Sequence, residues 1–172
     1  EYISGEKSNY PDGKIFPTTS VQEAKGCSSI GDTENTSYIS EAETQASVTN
    51  KLKLIQKFKQ NDAGLKKFLS NISNIDIDEI SGNINKENVE NANNLAFYLI
   101  NESRFSEGGQ ILESIVNKFP DRVVAKLNLA DVYWSIDGAK EWAQKMYSKY
   151  NSQMKSLGKE SKIPERSLTR IK

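Results

Sequence analysis

The chain has no histidine and a single cysteine, Cys27. Without histidine it cannot build a Ser-His-Asp or Cys-His nucleophile system, a histidine proton shuttle or most kinds of zinc site. One cysteine cannot form an internal disulfide or a metal site with several thiolates. We therefore expect the protein to use neither a metal nor another cofactor.

Apolar residues are also scarce. They make up 36% of the 172 residues, and the longest apolar run, Leu95–Ile100, is far shorter than the roughly 20 residues of a membrane span. Lysine plus arginine and aspartate plus glutamate both number 23, so the net charge is zero. Such a balance offers no general electrostatic attraction to nucleic acid. We expect neither membrane insertion nor nucleic-acid binding.

The zero net charge hides a difference between the two ends. Residues 1–50 carry eight acids and three bases, whereas residues 153–172 carry six bases and two acids. A basic end of this kind is typical of a solvated tail. The chain starts with Glu1 instead of Met, as expected after removal of an export signal or after trimming. The first interpretation predicts an exported protein, such as one of the bacterial periplasm.

Residues 1–46 are rich in Ser, Thr, Gly, Glu and Asn and show little periodicity. Pro11 and Gly13 give a turn signal between two short apolar stretches, a pattern consistent with a short β-hairpin. From Gly26 to Gln45 the pattern indicates a loop. The sequence therefore predicts an irregular N-terminal segment over 1–46, followed by a helical domain over 47–172.

Helical periodicity starts near Ser47, which we take as an N-cap, and Leu52, Ile55 and Phe58 form the first apolar stripe. Residues 47–82 are predicted to form helices that cap the domain. Pro164 opens a short last helix over 163–171, because proline is tolerated in a first helical turn. The four central helices are predicted at roughly 86–102, 106–118, 122–136 and 139–157.

A short motif recurs within the central helices. Asn94-Leu95-Ala96 returns as Asn128-Leu129-Ala130, 34 residues further along the chain. A 34-residue period with helical patterning is typical of a helix–turn–helix solenoid. Small residues in this region would let paired helices approach closely. They are Ala96, Gly108, Ala130 and Ala143.

Residues 89–157 resemble two tetratricopeptide repeats. The first unit has Leu95, Ala96 and Leu99 in its first helix, Gly108 in the second and Pro120 at the end. The second unit supplies Leu129, Ala130 and Tyr133, then Ala143, Tyr147 and Tyr150. Its second helix is shifted by one residue, which suggests an insertion in the turn at Asp137-Gly138. The early Trp position of the family holds Ala92 and Lys126.

The resemblance implies a mainly α-helical protein, built as a short α-solenoid. Two repeats at about 89–157 are fewer than the three or so that usually make a stable array. The capping helices of 47–82 and the C-terminal helix of 163–171 are therefore expected to cover the two ends of the repeat region, 86–157.

In the family, ligands usually bind to the surface formed by the first helix of each unit, which we call the inner face. Phe97 and Asp131 take the places where some members hold the terminal carboxylate of a peptide, so we do not expect such a clamp. The full face also includes Glu90 and Val124. The candidate partner-binding residues are Asn93, Phe97, Ile100, Asn101, Leu127, Asp131, Trp134 and Ser135.

Two interpretations of the inner face stay open at this point. Its apolar residues are either covered by the N-terminal segment or the capping helices, or they form an exposed groove for a partner. Residues 76–87 also place acids at three positions of a calcium loop. Ile80 and Ser81 stand where that loop needs an oxygen ligand and a glycine, so we interpret the stretch as a helix end and a cap.

These features predict a non-enzymatic interaction module that binds a protein or a peptide through the inner face. One version is an inhibitor or immunity protein, with the acidic N-terminal half in contact with a toxin or enzyme. The Asn-, Lys- and Ile-rich composition is similar to that of small bacterial repeat proteins. The alternative is an enzyme with a carboxylate-based site where the N-terminal segment meets the helices.

Overall fold

The computed structural model describes residues 40–58 and 63–171, and helices take up 78% of them. No β-strand occurs within these two ranges. The prediction of a mainly helical protein is therefore confirmed. The predicted hairpin and Cys27 lie outside the described residues.

Eight α-helices follow one another in the described ranges. None of them is long and apolar enough to cross a membrane. Short 3-10 helices at Leu54–Lys57 and Glu160–Lys162 follow the first helix and precede the last. The α-helices are α1 (Glu41–Lys53), α2 (Ala63–Asn71), α3 (Asn74–Gly82), α4 (Val89–Asn101), α5 (Phe105–Lys118), α6 (Val123–Ser135), α7 (Lys140–Ser156) and α8 (Glu165–Thr169).

The 34-residue period is visible in the starts of the central helices. α4 begins at Val89 and α6 begins 34 residues later, at Val123. α5 begins at Phe105 and α7 begins 35 residues later, at Lys140. The extra residue lies in the turn after α6, where Gly138 has a positive φ of 81°. This agrees with the one-residue insertion predicted for that turn.

The first helix begins earlier than the sequence suggested. Ser40 caps α1, because its Oγ accepts a hydrogen bond from the Glu43 backbone N–H at 3.3 Å. Glu43 Oε2 in turn accepts from the Ser40 N–H at 2.9 Å. This capping box satisfies two N–H groups that a helix end leaves free. Ser47, the predicted cap, lies inside α1. The sequence indicates too late a start because buried apolar residues begin only at Val48.

Helices that are neighbours in sequence pack against each other from α4 to α8. At the N-terminal end, α1 contacts α4 and α3 contacts α5. One hydrophobic core extends from α1 to α7. A second, small cluster of Tyr150, Met154 and Ile163 joins the end of α7 to the chain that precedes α8. The helices before α4 thus pack on α4 and α5, whereas the segment after α7 packs on α7.

The small residues predicted at close helix contacts are all buried. Gly108 shows why one of them has to be glycine. A Cβ atom placed there would lie 2.8 Å from Ile100 Cγ1 and 2.9 Å from the backbone oxygen of Ala96. The side chain of Ile100 can move, but the carbonyl oxygen cannot. Gly108 therefore sets how closely α5 approaches α4.

A buried carboxylate joins α5 to α6. Glu113 is 8% exposed, and its Oε1 accepts a hydrogen bond of 2.5 Å from the Tyr133 hydroxyl. Burial, together with this carboxylate, raises the pKa of Tyr133 far above its usual range. The phenol consequently stays a hydrogen-bond donor at any ordinary pH.

Asp76 connects α3 to α1. Lys51 forms a hydrogen-bonded ion pair with Asp76 Oδ1, and the Ser73 N–H donates to Oδ2 at 2.9 Å. The bond from Lys51 is the main reason why the pKa of Asp76 falls to about 2. Glu79 lies 3.7 Å from the same ammonium group. α3 ends within this stretch, at Gly82, as predicted, but its capping residue Ser73 precedes the stretch. No cluster of three metal-binding side chains occurs in the described ranges.

Gly108→Ala should destabilise the protein by up to about 2 kcal/mol. The alanine gains roughly 1 kcal/mol in helix propensity, but overpacking against a backbone atom typically costs about 1–3 kcal/mol. Urea unfolding followed by circular dichroism measures the difference. Gly82→Ala is the control, because a Cβ there meets nothing within 4 Å. A Gly108→Ala variant as stable as the Gly82→Ala variant would contradict the close approach.

Asp76→Asn should lower the free energy of unfolding by about 1 kcal/mol near neutral pH, allowing for the partial exposure of the ion pair. The pKa of Asp76 is about 2 in the folded protein, compared with the ordinary value of 3.8, which we take for the unfolded chain. Its carboxylate therefore stabilises the fold above pH 3.8, and this contribution is lost as the pH falls through about 2. Urea titrations at a series of pH values should show the two proteins converging. A constant difference down to the lowest pH would rule the ion pair out as the cause.

Candidate interaction surface

Most residues of the predicted inner face lie in one of two places in the structure. The N-terminal halves of α4 and α6 line an open groove, whereas the C-terminal half of α6 is in contact with α8. The two places differ in charge and in what occupies them.

The groove has a volume of about 650 Å³ and lies between α4, α6, the end of α7 and the chain after α7. Two of the predicted site residues, Asn93 and Leu127, line it together with Glu90 and Val124. Leu127 packs against both hydrophobic clusters, so the floor of the groove is apolar. Val124 is 61% exposed and leaves apolar surface at the rim.

Polar groups of two kinds accompany this apolar floor. Asn93 Oδ1 is shielded from water and has no hydrogen-bond partner among the described residues. Arg122, Lys159 and Lys162 also line the groove, and none of them forms a salt bridge with another described residue. The groove thus combines an unsatisfied amide oxygen, an apolar floor and three unpaired cations.

These three cations are not among the site residues predicted from the sequence. Arg122 lies in the connection before α6, and Lys159 and Lys162 lie after α7. The repeat pattern places only the first helix of each unit on the inner face, so it says nothing of the connections. The one available signal was the excess of bases over 153–172, which we interpreted as a solvated tail.

The other predicted residues of α4 do not line the groove. Phe97 is 40% exposed and its ring lies 5.9 Å from that of Tyr98. Ile100 is half-buried against Gly108. Asn101 is exposed at the end of α4. The structure therefore brings Asn93 and Leu127 together and leaves these three residues elsewhere on α4.

Asp131 lies at the centre of a network that holds α8. Its carboxylate accepts from Arg166 Nε at 3.0 Å and from Arg166 Nη2 at 2.9 Å, with Arg170 Nη1 at 3.2 Å. The Tyr147 hydroxyl donates to Asp131 Oδ1 at 2.5 Å and accepts from Arg170 Nη1 at 2.6 Å. Burial and the bond to Asp131 raise the pKa of Tyr147 to about 12.

Aromatic and amide groups complete the contacts with α8. The Arg170 guanidinium carbon lies 4.9 Å from the Trp134 ring centroid, in a cation–π arrangement. Asn151 Nδ2 donates to the Ser167 carbonyl oxygen at 3.0 Å, and the Ser167 hydroxyl donates to Asn151 Oδ1. We call the set Asp131, Trp134, Tyr147 and Asn151 the cradle.

The cradle bears on both interpretations left open by the sequence. Asp131 and Trp134 of the predicted site contact α8, so this part of the inner face is covered by the C-terminal helix. Ser135 is exposed, and its hydroxyl donates to the Asp131 carbonyl oxygen at 3.0 Å. In the groove the inner face is not covered by any described residue.

The alternative of a carboxylate-based enzyme placed its site at the junction with the N-terminal segment. Residues 1–39 lie outside the described ranges. Of the acids near that end, Asp76 and Glu79 share Lys51 as their partner. The enzyme alternative stays a prediction.

Comparisons of the chain with protein-family models, curated proteins and solved structures give no match. The resemblance to tetratricopeptide repeats therefore rests on the residues and on the 34-residue spacing.

Asp131→Arg should lower the free energy of unfolding by about 2 kcal/mol, because it removes the bonds to both arginines and to Tyr147 and places three guanidinium groups together. Asp137→Arg makes the same change of charge in the exposed turn after α6 and should stay within about 0.5 kcal/mol of the native protein. Chemical unfolding followed by tryptophan fluorescence compares them. Equal stabilities would mean that the network contributes nothing to folding.

Proposed function

We propose that the protein is a non-enzymatic interaction module. In this proposal α4–α5 and α6–α7 are two tetratricopeptide-like units of a short α-solenoid, and a segment of another protein or a peptide binds in the groove of the inner face. The support for the solenoid is the spacing of the helix starts and the close helix contact at Gly108. An inhibitor or immunity protein would be one form of such a module.

The observation that carries the proposal is the unsatisfied oxygen of Asn93. A buried amide group without a partner costs about 1–3 kcal/mol, and a donor brought by a ligand would recover that energy. Backbone N–H groups of a peptide are donors of this kind. Oδ1 itself is closed to water, but Asn93 lines the groove, so a donor of the bound chain reaches this oxygen when the Asn93 side chain rotates toward the groove.

The rest of the groove indicates what kind of segment would fit. Val124 and Leu157, which are 61% and 50% exposed, offer apolar contact area at the rim. Arg122, Lys159 and Lys162 favour a partner with carboxylates beside its apolar residue. Asp121 and Glu90 lie in the same lining and offset part of this positive charge, so a few acids on the partner are enough. We infer a segment with an apolar anchor flanked by acids.

Selection of a random peptide library on the intact protein tests this proposal. Peptides that bind in the groove should lose at least tenfold in affinity for Val124→Asp, because a carboxylate replaces the exposed apolar contact. Ile75→Asp is a matched control. Ile75 is 79% exposed and is the second residue of α3, just as Val124 is the second residue of α6. Fluorescence anisotropy with labelled peptides gives both dissociation constants.

The expected result is equal binding by the native protein and Ile75→Asp, with weaker binding by Val124→Asp. Circular dichroism checks that both variants are folded. If selected peptides bind the three proteins equally well, the groove is not the binding surface. If no peptide is selected against the native protein, the proposal of a peptide-binding module is wrong.

A further inference from the structure

The last helix is attached to the domain in an unusual way. α8 has five residues, too few to be stable by itself. None of its residues belongs to either hydrophobic cluster, and its apolar Leu168 is 42% exposed. Its contacts with the domain are the polar and cation–π contacts of the cradle. α8 is therefore held in the way that a domain holds a short bound peptide.

We propose that the cradle is a recognition site for a short helix with two arginines four residues apart and a serine directly after the first. Within this chain the cradle is occupied by α8 and the residue that caps its end, through Arg166, Ser167 and Arg170. A helical segment of another protein that carries the same pattern binds in place of α8. This inference goes beyond the groove, and the cradle shares no residue with the groove lining.

Asp131 and Trp134 select arginine over lysine. Nε and Nη2 of Arg166 donate to the two oxygens of Asp131 at 3.0 and 2.9 Å, a paired arrangement that the single ammonium of lysine cannot copy. The planar guanidinium of Arg170 lies over the Trp134 ring, while its Nη1 donates to Tyr147. Each arginine thus meets a partner suited to its shape.

Asn151 recognises Ser167, which lies between the two arginines. It donates to the Ser167 carbonyl oxygen and accepts from the Ser167 hydroxyl, so it recognises both the backbone and the side chain. Ser167 is completely buried, at 0% exposure. A larger side chain at this position of the ligand would have to displace α7. The pattern that fits is Arg-Ser-x-x-Arg on a helix.

Exchange of α8 for such a segment leaves the core intact. The ion pairs between Asp131 and the arginines are partly exposed to water, with 45% of the Arg166 side chain accessible. Such pairs contribute little to stability individually. The segment Leu157–Lys162 is exposed along its whole length, and Ile163, which packs on Tyr150 and Met154, anchors this short tether just before α8. A tether of this kind gives α8 an effective concentration of roughly millimolar, so it competes with external ligands.

The test uses the full chain with Arg166→Ala and Arg170→Ala, which frees the cradle, and a labelled peptide with the sequence of residues 159–171. The double variant should bind this peptide at least tenfold more tightly than the native protein does. A peptide with lysine in place of both arginines should bind at least tenfold more weakly. Adding Asp131→Asn to the double variant should reduce peptide binding to the same extent. Circular dichroism confirms folding of each variant.

Hydrogen exchange of the native protein provides a second measurement that needs no variant. Excess peptide should speed the exchange of amides in α8, and the lysine peptide should leave them unchanged. The proposal is overturned if a folded double variant does not bind the peptide, or if it binds both peptides equally. It is also overturned if the double variant is unfolded and α8 exchange in the native protein does not respond to the peptide. None of these results depends on ligands of the groove.

Discussion

The close approach of α5 to α4 at Gly108 is the contact on which the arrangement of the other helices depends. With no Cβ at this position, the backbone of α5 reaches the carbonyl oxygen of Ala96, and Ile100 fills the space beside it. α6 then packs on α5, and α7 on α6. A wider spacing between α4 and α5 would separate Asn93 from the residues of α6 with which it lines the groove.

The inner face carries opposite charges at its two ends. Three cations from the connections outnumber Glu90 and Asp121 in the groove lining, whereas the charged group of the cradle is the carboxylate of Asp131. A surface with one sign of charge would attract ligands along its whole length. Here the groove favours acidic side chains and the cradle favours arginine, and α8 already occupies the cradle. The net charge of zero conceals this separation.

Much of the central part of the fold could be predicted from the sequence, because its signals are local and periodic. The 34-residue spacing, the extra residue before α7 and the small residues at helix contacts all reappear in the structure. The start of α1 was missed because Ser40 and Glu43 make a cap without any apolar pattern. The cradle was missed for another reason. Asp131 pairs with arginines 35 and 39 residues away, and no local pattern indicates such a pair.

The position of α8 also determines which surface of α6 and α7 stays open to other helices. In a stacked array each new helix packs on the pair before it, as α6 packs on α5 and α4. α8 contacts α6 through Asp131 and packs on α7. A further helix pair could not stack there while α8 is in place. The surface of α6 and α7 around Asp131 is thus already occupied from within the chain.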